Sequence, residues 1–419
     1  MIIHTPLPSA SHTDILSLRF ELDLLAAFAI LFSMPAGGVQ EGGHVAKVEG
    51  TKYRRVLEAI RNQIVGGEYS SNRRLPPWSQ IAEQHGVGMA TVQKAVDTLT
   101  RDGFLYAVPG AGTYVADHLP NECRFALALH HESHALTSMH DSAVRNAANN
   151  LDNGTSIQFR QYKVSGWPQY QEEINRLSDD VVNNRLAGVI SPFFCPGFDG
   201  TPILKTPGMP LVFCSHTKFE NAYIVGLQGD SFIQRAMAHV RSRGSRRIAH
   251  LVLDTPFGFD PHAFEASLRQ LDAEFRPYWI QGVVLGHTTR TASNMVRLLM
   301  ELEGDKRPDA LIVHDDALLE PVVLGLLSCN VRVPEDLEVV SLANFPSLRP
   351  QGLPVRRLGY DWHEMLSKAI EVIRSARHGD KPAPVLLPAV FEDELPVRAP
   401  TQNERMALHL ANMGGPTEV

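Results

Sequence analysis

The spacing of apolar residues between Lys52 and Ala116 constrains the fold of this chain more than any other feature. Intervals of three and four predict a helix with one buried stripe, made by Tyr53, Val56, Leu57, Ile60 and Ile64. A short second helix is expected from Trp78 to His85, with Ser79 as its cap, before Gly86. The same spacing predicts a third helix from Met89 to Arg101, with a stripe of Val92, Ala95, Val96 and Leu99.

Two β-prone runs follow the third helix. Phe104–Tyr106 and Thr113–Val115 flank the turn-forming pair Pro109-Gly110, which predicts an antiparallel ribbon. A helix, a two-helix unit and a ribbon in this order form a winged helix-turn-helix. Residues of the third helix outside its stripe would then meet a DNA major groove; they are Ala90, Thr91, Gln93, Lys94 and Asp97.

Several motifs in this segment resemble the GntR family of bacterial transcription regulators. They are GGEY after the first helix, the pair Leu75-Pro76, IAEQHGV, TVQKAVDTLTRDGF and the ribbon GAGTYV. The resemblance implies a DNA-binding surface that comprises Arg54, Trp78, Ser79, Met89, Ala90, Thr91, Gln93, Lys94, Gly110, Gly112 and Thr113.

The chain departs from the family where arginine is usual. Trp78 and Ser79 follow the Leu-Pro pair, Gly88 and Met89 enter the third helix, Gln93 follows the Thr-Val pair, and the ribbon holds Ala111. We therefore expect Thr91 and Gln93 to read adenine or thymine edges, with Lys94 and Arg101 on phosphate.

Charge is distributed unevenly along the chain. Residues 52–116 hold eight basic and five acidic side chains, a net charge of +3, whereas the whole chain carries −7. The remaining residues therefore sum to −10, which suits a basic nucleic-acid-binding domain on an acidic body.

The length and the cysteine pattern limit the remaining classes. A chain of 419 residues predicts two or three domains. Its four cysteines lack C-x-x-C spacing, which argues against a disulfide framework or a structural zinc site and favours the reducing cytoplasm. The apolar stretch 15–32 contains Arg19, Glu21 and Asp23, so we expect neither a membrane span nor a signal peptide.

From Arg124 onwards, short apolar runs alternate with helical patterns, which predicts parallel sheets covered on both faces. The fold class is therefore α/β: an N-terminal winged helix-turn-helix joined to a two-lobed domain of doubly wound parallel sheets. The expected boundaries are an extension at 1–45, either disordered or the product of an upstream start codon, the winged helix at 52–116, a linker at 117–122, the two-lobed domain at 123–399 and a flexible tail at 400–419. Lobe 1 is expected at about 123–247 and 358–378, and lobe 2 at about 248–355 and 383–398.

The body resembles the ligand-sensing domain of LacI-type repressors and of type I periplasmic binding proteins. The segments RGSRRIAHLVLD, RPDALIVHDDALLEPVVLGLL, NVRVPEDLEVVSLANFP and PVLLPAVFEDELPV carry this resemblance. Together with the GntR-type segment, they look like a regulator of the arabinose-repressor type. The resemblance implies an effector in the cleft between the lobes, near His130, His131, Ser191, His216, Asp260, Phe264, Asp316 and Asn344.

The class of effector is less constrained. Sugar-binding members of the family usually place an arginine where this chain has Asp260. A cationic ligand, a polyhydroxylated sugar-like ligand and a cleft that has lost sensing all remain open.

The sequence favours a regulator over an enzyme or a metalloprotein. It has no P-loop, no G-x-G-x-x-G motif after a strand and no G-x-S-x-G motif, so we expect no catalysis and no cofactor. The HHESH segment is not a recognised ligand spacing, so no metal is expected. We predict a cytoplasmic homodimeric regulator, most simply a repressor, that binds operator DNA and a small-molecule effector.

Two alternatives remain. In one, the winged helix contacts proteins and the body works as a ligand receptor. In the other, His131 and His134 make the chain a metal or pH sensor.

Overall fold

The computed structural model describes residues 49–130, 135–152, 155–165, 170–193, 195–214, 222–228, 231–254, 265–266, 269, 274, 276–284, 288–346 and 352–398. The helices in these ranges are α1 (Glu49–Val65), α2 (Trp78–His85), α3 (Met89–Asp102), α4 (Pro120–Cys123), α5 (Ala135–Asp152), α6 (Tyr170–Val182), α7 (Pro202–Lys205), α8 (Ser231–Ser242), α9 (Thr288–Glu301), α10 (Leu319–Ser328) and α11 (Trp362–Arg377). The strands are β1 (Leu105–Val108), β2 (Gly112–Val115), β3 (Arg124–His130), β4 (Gln158–Ser165), β5 (Gly188–Ser191), β6 (Leu211–Phe213), β7 (Tyr223–Leu227), β8 (Ile248–Asp254), β9 (Ile280–Val284), β10 (Ala310–Val313), β11 (Glu338–Phe345), β12 (Arg356–Asp361), β13 (Val385–Leu387) and β14 (Val390–Phe391).

These residues fall into two compact units. Of the described residues, those within 44–236, 342–351 and 356–398 form the large unit, and those within 237–341 and 352–355 form the small unit. No helix within the described ranges has both the length and the apolar character needed to cross a membrane.

The segment 52–116, called the head below, has the predicted order of elements. The apolar stripes of α1 and α3 form one buried core, to which Leu75, Ile81 and Phe104 also contribute. Gly86 and Gly103 end α2 and α3 with φ of 61° and 94°, a left-handed conformation that glycine adopts without steric cost. The expectation that Ser79 caps α2 is wrong, because Pro77 occupies the N-cap position and no side chain caps the helix.

The ribbon of the head pairs β1 with β2 in antiparallel register, with Leu105 opposite Val115 and Val108 opposite Gly112. The rings of Tyr106 and Tyr114 stack with their centroids 5.6 Å apart on this ribbon. Cross-strand aromatic pairs of this kind stabilise a two-stranded ribbon.

The large unit contains a six-stranded sheet in the order β13-β7-β6-β5-β3-β4, here called the lobe sheet. All of its neighbouring strands run parallel. Alternate residues of β3 point to opposite faces: Phe125 and Leu127 pack in the core that includes α5 and α11, and Ala126 packs in the core that includes α6. The sheet is therefore doubly wound, as the alternating sequence pattern predicts.

One strand of the lobe sheet was not expected there. The run YIVGL forms β7, and Val385 to Leu387 form β13, which pairs with Val225 to Leu227 of β7. The sequence analysis placed residues 383–398 in the second lobe, whereas β13 lies at the edge of the lobe sheet. Its side chains Val385 and Leu387 pack against the core around α11, which accounts for this position.

The small unit is built on parallel pairing of β11 with β10, β10 with β8, and β8 with β9. Its core contains residues of β8 and β10 together with α9 and α10. In the large unit, β12 pairs with β14 in antiparallel fashion, with Leu358 opposite Phe391.

Candidate nucleic-acid interface and effector site

One face of α3 is open to solvent. Met89, Ala90, Gln93 and Lys94 are exposed and Thr91 is partly buried, whereas Val92, Ala95, Val96 and Leu99 on the other face are buried in the core of the head. The first turn of α3 holds no acidic residue, and its N-cap is Gly88. The amide groups and partial positive charge of this helix end suit an anionic phosphate.

Lys94 is held in place by α1. Its Nζ atom lies 5.0 Å from the centre of the Tyr53 ring, and the Tyr53 hydroxyl forms a hydrogen bond of 2.9 Å with Oγ1 of Thr98. The aromatic face attracts the cation without neutralising it. Lys94 therefore presents its charge close to the open face of α3, as a phosphate contact requires.

The other expected contact residues of the head differ in exposure. Arg54 and Ser79 are exposed, Trp78 is half-buried against the core of the head, and Gly110 and Gly112 lie at the tip of the ribbon with positive φ.

Thr113 is the residue of this set that is buried. Its side chain is therefore not displayed on the ribbon, while its carbonyl accepts a hydrogen bond from the Leu75 amide. A role in direct DNA contact suits the other ribbon residues better than Thr113.

Arg74 belongs to this surface, although the sequence analysis did not single it out. Arg74 forms a β-bridge with Tyr114, and its Nε lies 2.7 Å from the point that a Cβ on Gly112 would occupy. The exposed guanidinium therefore lies directly over the ribbon, and glycine at 112 leaves the space for it. This arrangement supplies the ribbon with the positive charge that Ala111 lacks.

A second polar cluster lies where β3 ends. The buried Asp141 carboxylate accepts a hydrogen bond of 2.9 Å from the His130 backbone amide. Its Oδ1 atom also lies 3.1 Å from Nδ1 of His130 and 3.2 Å from Nδ1 of His140. A single carboxylate from α5 thus orients two partly exposed imidazole rings.

Aromatic side chains from distant segments surround these histidines. The His130 ring stacks on Phe193 with the centroids 3.6 Å apart, and His140 meets the edge of Trp362 at 4.7 Å. The indole Nε1 of Trp362 donates to Oδ1 of Asn344 at 2.9 Å. The cluster thus includes Asn344, an expected effector residue, together with four residues that were not expected at this site: His140, Asp141, Phe193 and Trp362.

Ser191 joins the cluster from the neighbouring strand β5. Its hydroxyl donates to the Phe193 carbonyl at 2.6 Å, and the side chain is fully buried. β3 lies between β4 and β5, so the chain reverses direction across the sheet at this point. In doubly wound sheets, ligands bind at the carboxyl ends of the strands at such a switch point.

The electrostatics of the cluster depend on Asp141. Burial raises the pKa of a carboxyl group, but hydrogen bonds and charge attraction from His130 and His140 outweigh burial and lower the pKa of Asp141 to about 2. The ligand atoms of these three residues lie within 4.8 Å of one another, close enough to share a metal ion. The group can therefore act either as a hydrogen-bonding surface or as a three-ligand metal centre.

Among the remaining expected effector residues, the structure describes only Asp316. His131, His216, Asp260 and Phe264 lie outside the described residues, as does His134 of the HHESH segment. Asp316 is buried in the small unit, where it follows Asp315, whose side chain accepts from the Ala317 amide.

An open groove of about 690 Å³ lies elsewhere on the large unit. It is lined by residues that precede β6 and β7, including Lys205 and Met209, and by Pro384. It is at the amino ends of these strands, away from the switch point, so we do not assign the effector to it.

Comparison with known proteins finds matches for both the head and the body of the chain. Residues 52–115 match the bacterial regulatory proteins of the gntR family, and residues 237–391 match the periplasmic binding protein-like domain. The arabinose metabolism transcriptional repressor of Halalkalibacterium halodurans is 22% identical over 378 residues, which cover 84% of this chain and 96% of that protein. The HTH-type transcriptional repressor NagR of Bacillus subtilis is 36% identical over 64 residues, 15% of this chain and 26% of NagR.

A solved structure supports the fold of the body. A regulatory protein of the LacI family from Chloroflexus aggregans is similar with a TM-score of 0.52 at 16% identity, covering 65% of this chain and 97% of that chain. The predicted fold class and both resemblances are thereby confirmed. The chain thus joins a winged helix-turn-helix that matches the bacterial gntR regulatory proteins to a domain that matches the periplasmic binding protein-like domain, an arrangement consistent with a ligand-responsive DNA-binding regulator.

Proposed function

We propose that this protein is a transcriptional repressor that binds operator DNA through its head and a small-molecule effector through its body. The observation that carries the proposal is the exposed face of α3, where Gln93 and Lys94 stand clear of a fully buried core within a gntR-type domain. Arg74 and Arg54 extend this surface with positive charge at positions that suit phosphate contacts.

The effector site that the geometry favours is the cluster of His130, His140, Asp141, Phe193 and Trp362. Both Nδ1 atoms face the Asp141 carboxylate, so the Nε2 atoms are the nitrogens available to a ligand. An imidazole that donates from Nδ1 accepts at Nε2, and aromatic walls stack well on apolar sugar faces. These features support a polyhydroxylated, sugar-like effector, in keeping with the name of the arabinose repressor that the chain resembles.

The assembly and setting follow from the same proposal. One recognition helix reads only a few base pairs, so a two-fold homodimer would supply a second half-site one or more helical turns away. Three of the four free cysteines are buried thiols, as suits a protein of the reducing cytoplasm. We propose no catalytic activity and no cofactor for this chain.

The decisive experiment selects bound sequences from random duplex DNA with the purified full chain. The enriched sequence is then titrated with protein in the presence of individual pentoses and hexoses. We expect a two-fold symmetric site, and one sugar that shifts operator affinity by about 1–3 kcal/mol, the usual range of allosteric coupling. His140→Ala should abolish that shift while leaving operator binding intact.

The same titration separates the competing functions. If the head is a protein-contact surface, no sequence is enriched although a sugar still binds the body. If the cluster of His130, His140 and Asp141 senses a metal, Zn²⁺ shifts operator affinity and the sugars do not.

A further inference from the structure

A buried group of charges joins the head to the lobe sheet within the large unit. Asp102, the last residue of α3, pairs with Arg185 at 2.8 Å between Oδ2 and Nε, and Arg61 of α1 lies 3.8 Å from the same oxygen. Arg61 also donates from Nη1 to Oδ1 of Asn183 at 2.7 Å. We call Arg61, Asp102, Asn183 and Arg185 the anchor cluster.

The anchor cluster continues into the lobe. Nη1 of Arg185 lies 3.1 Å from Asp180 and 2.7 Å from Asp179, and Asp180 in turn pairs with Arg160 at 2.8 Å. The hydroxyl of Tyr162, a residue of β4, donates to Asp180. Head and lobe are therefore connected by alternating charges and not by an apolar contact alone.

Burial means that each of these charged side chains relies on its neighbours to stabilise its charge. The Arg61 side chain is 3% exposed and that of Asp102 is 11% exposed. Burial, together with the nearby charge of Arg185, lowers the pKa of Arg61. Burial also opposes the charge of Arg185, but Asp102, Asp180 and Asp179 outweigh it and raise its pKa.

A second contact reaches the same end of α3. Arg124, the first residue of β3, donates from Nη1 to the Asp102 carbonyl at 3.0 Å. Its Nη2 lies 3.1 Å from the point that a Cβ on Gly103 would occupy. Both the side chain and the backbone at the carboxyl end of α3 are thus held by the lobe, whereas the Met89 end of the helix is open to solvent.

The strands that carry these contacts lead directly to the candidate effector site. β3 starts at Arg124 and ends at His130, and β5 follows Arg185 closely and ends at Ser191. Arg185 and Ser191 are six positions apart, or about 20 Å of extended chain. The contacts to the head and the effector cluster therefore occupy opposite ends of the same two strands.

We propose that the anchor cluster fixes the carboxyl end of α3 to the lobe sheet, so that movement of the lobe sets the orientation and spacing of the two heads on DNA. This proposal rests on the proposed function, because it needs a dimer that reads an operator. Intact, the cluster makes each head part of one rigid body with the lobe sheet. Without it, each head remains folded and binds DNA, but its orientation no longer follows the lobe.

The test uses the full chain and duplexes in which the two halves of the selected operator are separated by added base pairs. The variants are Arg185→Glu, the conservative Arg185→Lys, and the control Lys381→Glu, which reverses an exposed charge of the large unit. We expect the wild-type chain and the control to lose about tenfold in affinity when half a helical turn is inserted. Arg185→Glu should lose this preference, and Arg185→Lys, which keeps a positive charge facing Asp102, Asp179 and Asp180, should retain it.

Hydrogen exchange without DNA gives an independent measurement. Amides at the carboxyl end of α3 should exchange faster in Arg185→Glu than in the wild-type chain, while amides in the core of α1 stay protected. The proposal is overturned if Arg185→Glu keeps both the spacing preference and the hydrogen-exchange rates of the wild-type chain. A wild-type chain that binds no duplex refutes the proposed function, and the exchange measurement then decides whether the anchor exists without a role in DNA binding.

Discussion

Replacing Asp141 by asparagine tests how the candidate effector site is held together. The carboxylate accepts from the His130 amide and faces Nδ1 of both His130 and His140. Asparagine keeps the size of the side chain but loses its negative charge and turns one oxygen into a donor. The buried donors around position 141 would then lack a full set of acceptors, and we expect the large unit to lose stability.

The magnitude follows from the pKa of Asp141, which falls from an ordinary 3.8 to about 2 in the folded protein. The difference corresponds to about 2 kcal/mol of folding free energy at neutral pH. Because the folded-state pKa is depressed, this stabilisation is fully present above about pH 4. It is lost as the pH falls toward 2, where Asp141 becomes protonated in the folded state too.

The assay is urea unfolding followed by the fluorescence of Trp362, which lies beside His140 in the large unit, in a background where Trp78, Trp167 and Trp279 are replaced by phenylalanine. Asp141→Asn should be less stable than wild type by about 2 kcal/mol at pH 7, with the difference shrinking below pH 4. The control is Asp152→Asn, an exposed carboxylate on the same helix, which should stay within about 0.5 kcal/mol of wild type. A difference for Asp141→Asn that stays constant between pH 7 and pH 3 would refute the reasoning.

Three further predictions address other parts of the molecule. Arg74→Ala should weaken binding to all operator variants about equally, since the guanidinium over Gly112 suits a phosphate contact. Electrophoretic mobility shifts measure the DNA affinity of this variant, with Arg290→Ala, a change at an exposed arginine, as the control. Gly359→Ala should prevent the large unit from folding, because its Cβ would lie 1.7 Å from the Ala343 carbonyl oxygen; Gly88→Ala, with open space around its Cβ, should fold normally by circular dichroism. The small unit should lose stability as the pH falls below about 6.5, because burial lowers the pKa of His314 to about 3 and the unfolded chain then binds a proton that the folded unit excludes. Urea unfolding followed by the fluorescence of Trp279 measures this loss. A small unit whose stability does not fall with pH would show that His314 protonates normally in the folded state.

The head was predictable because its information is local. The apolar stripes of α1 and α3 repeat at helical spacing over single short segments, and two glycines mark the helix ends, so element type and order follow from the sequence. Details that depend on pairing were not predictable. Thr113 is buried and Arg74 covers the ribbon because Leu75 and Arg74 pair with β2, which no periodicity reveals.

The candidate effector site was predictable only in part. His130 and Ser191 could be named from the sequence because polar residues that follow buried strands meet at one edge of a parallel sheet, and the structure places both of them at this cluster. Asp141 and Trp362 were missed because they come from α5 and α11, which reach this edge only after the sheet has formed. The place of β13 beside β7 was missed for the same reason, since the two strands are more than 150 residues apart in sequence.

The salt dependence of operator binding tests the central claim most directly, namely that the open face of α3 fits into duplex DNA. Binding constants of the full chain for its selected duplex should fall linearly on logarithmic axes as the salt concentration rises. Lys94→Ala should make the slope less negative by about 0.9 per protomer, and Gln93→Ala should leave the slope unchanged while relaxing the preferred sequence. Binding that does not depend on salt, or substitutions at both positions that leave the slope and the sequence preference unchanged, would contradict the account.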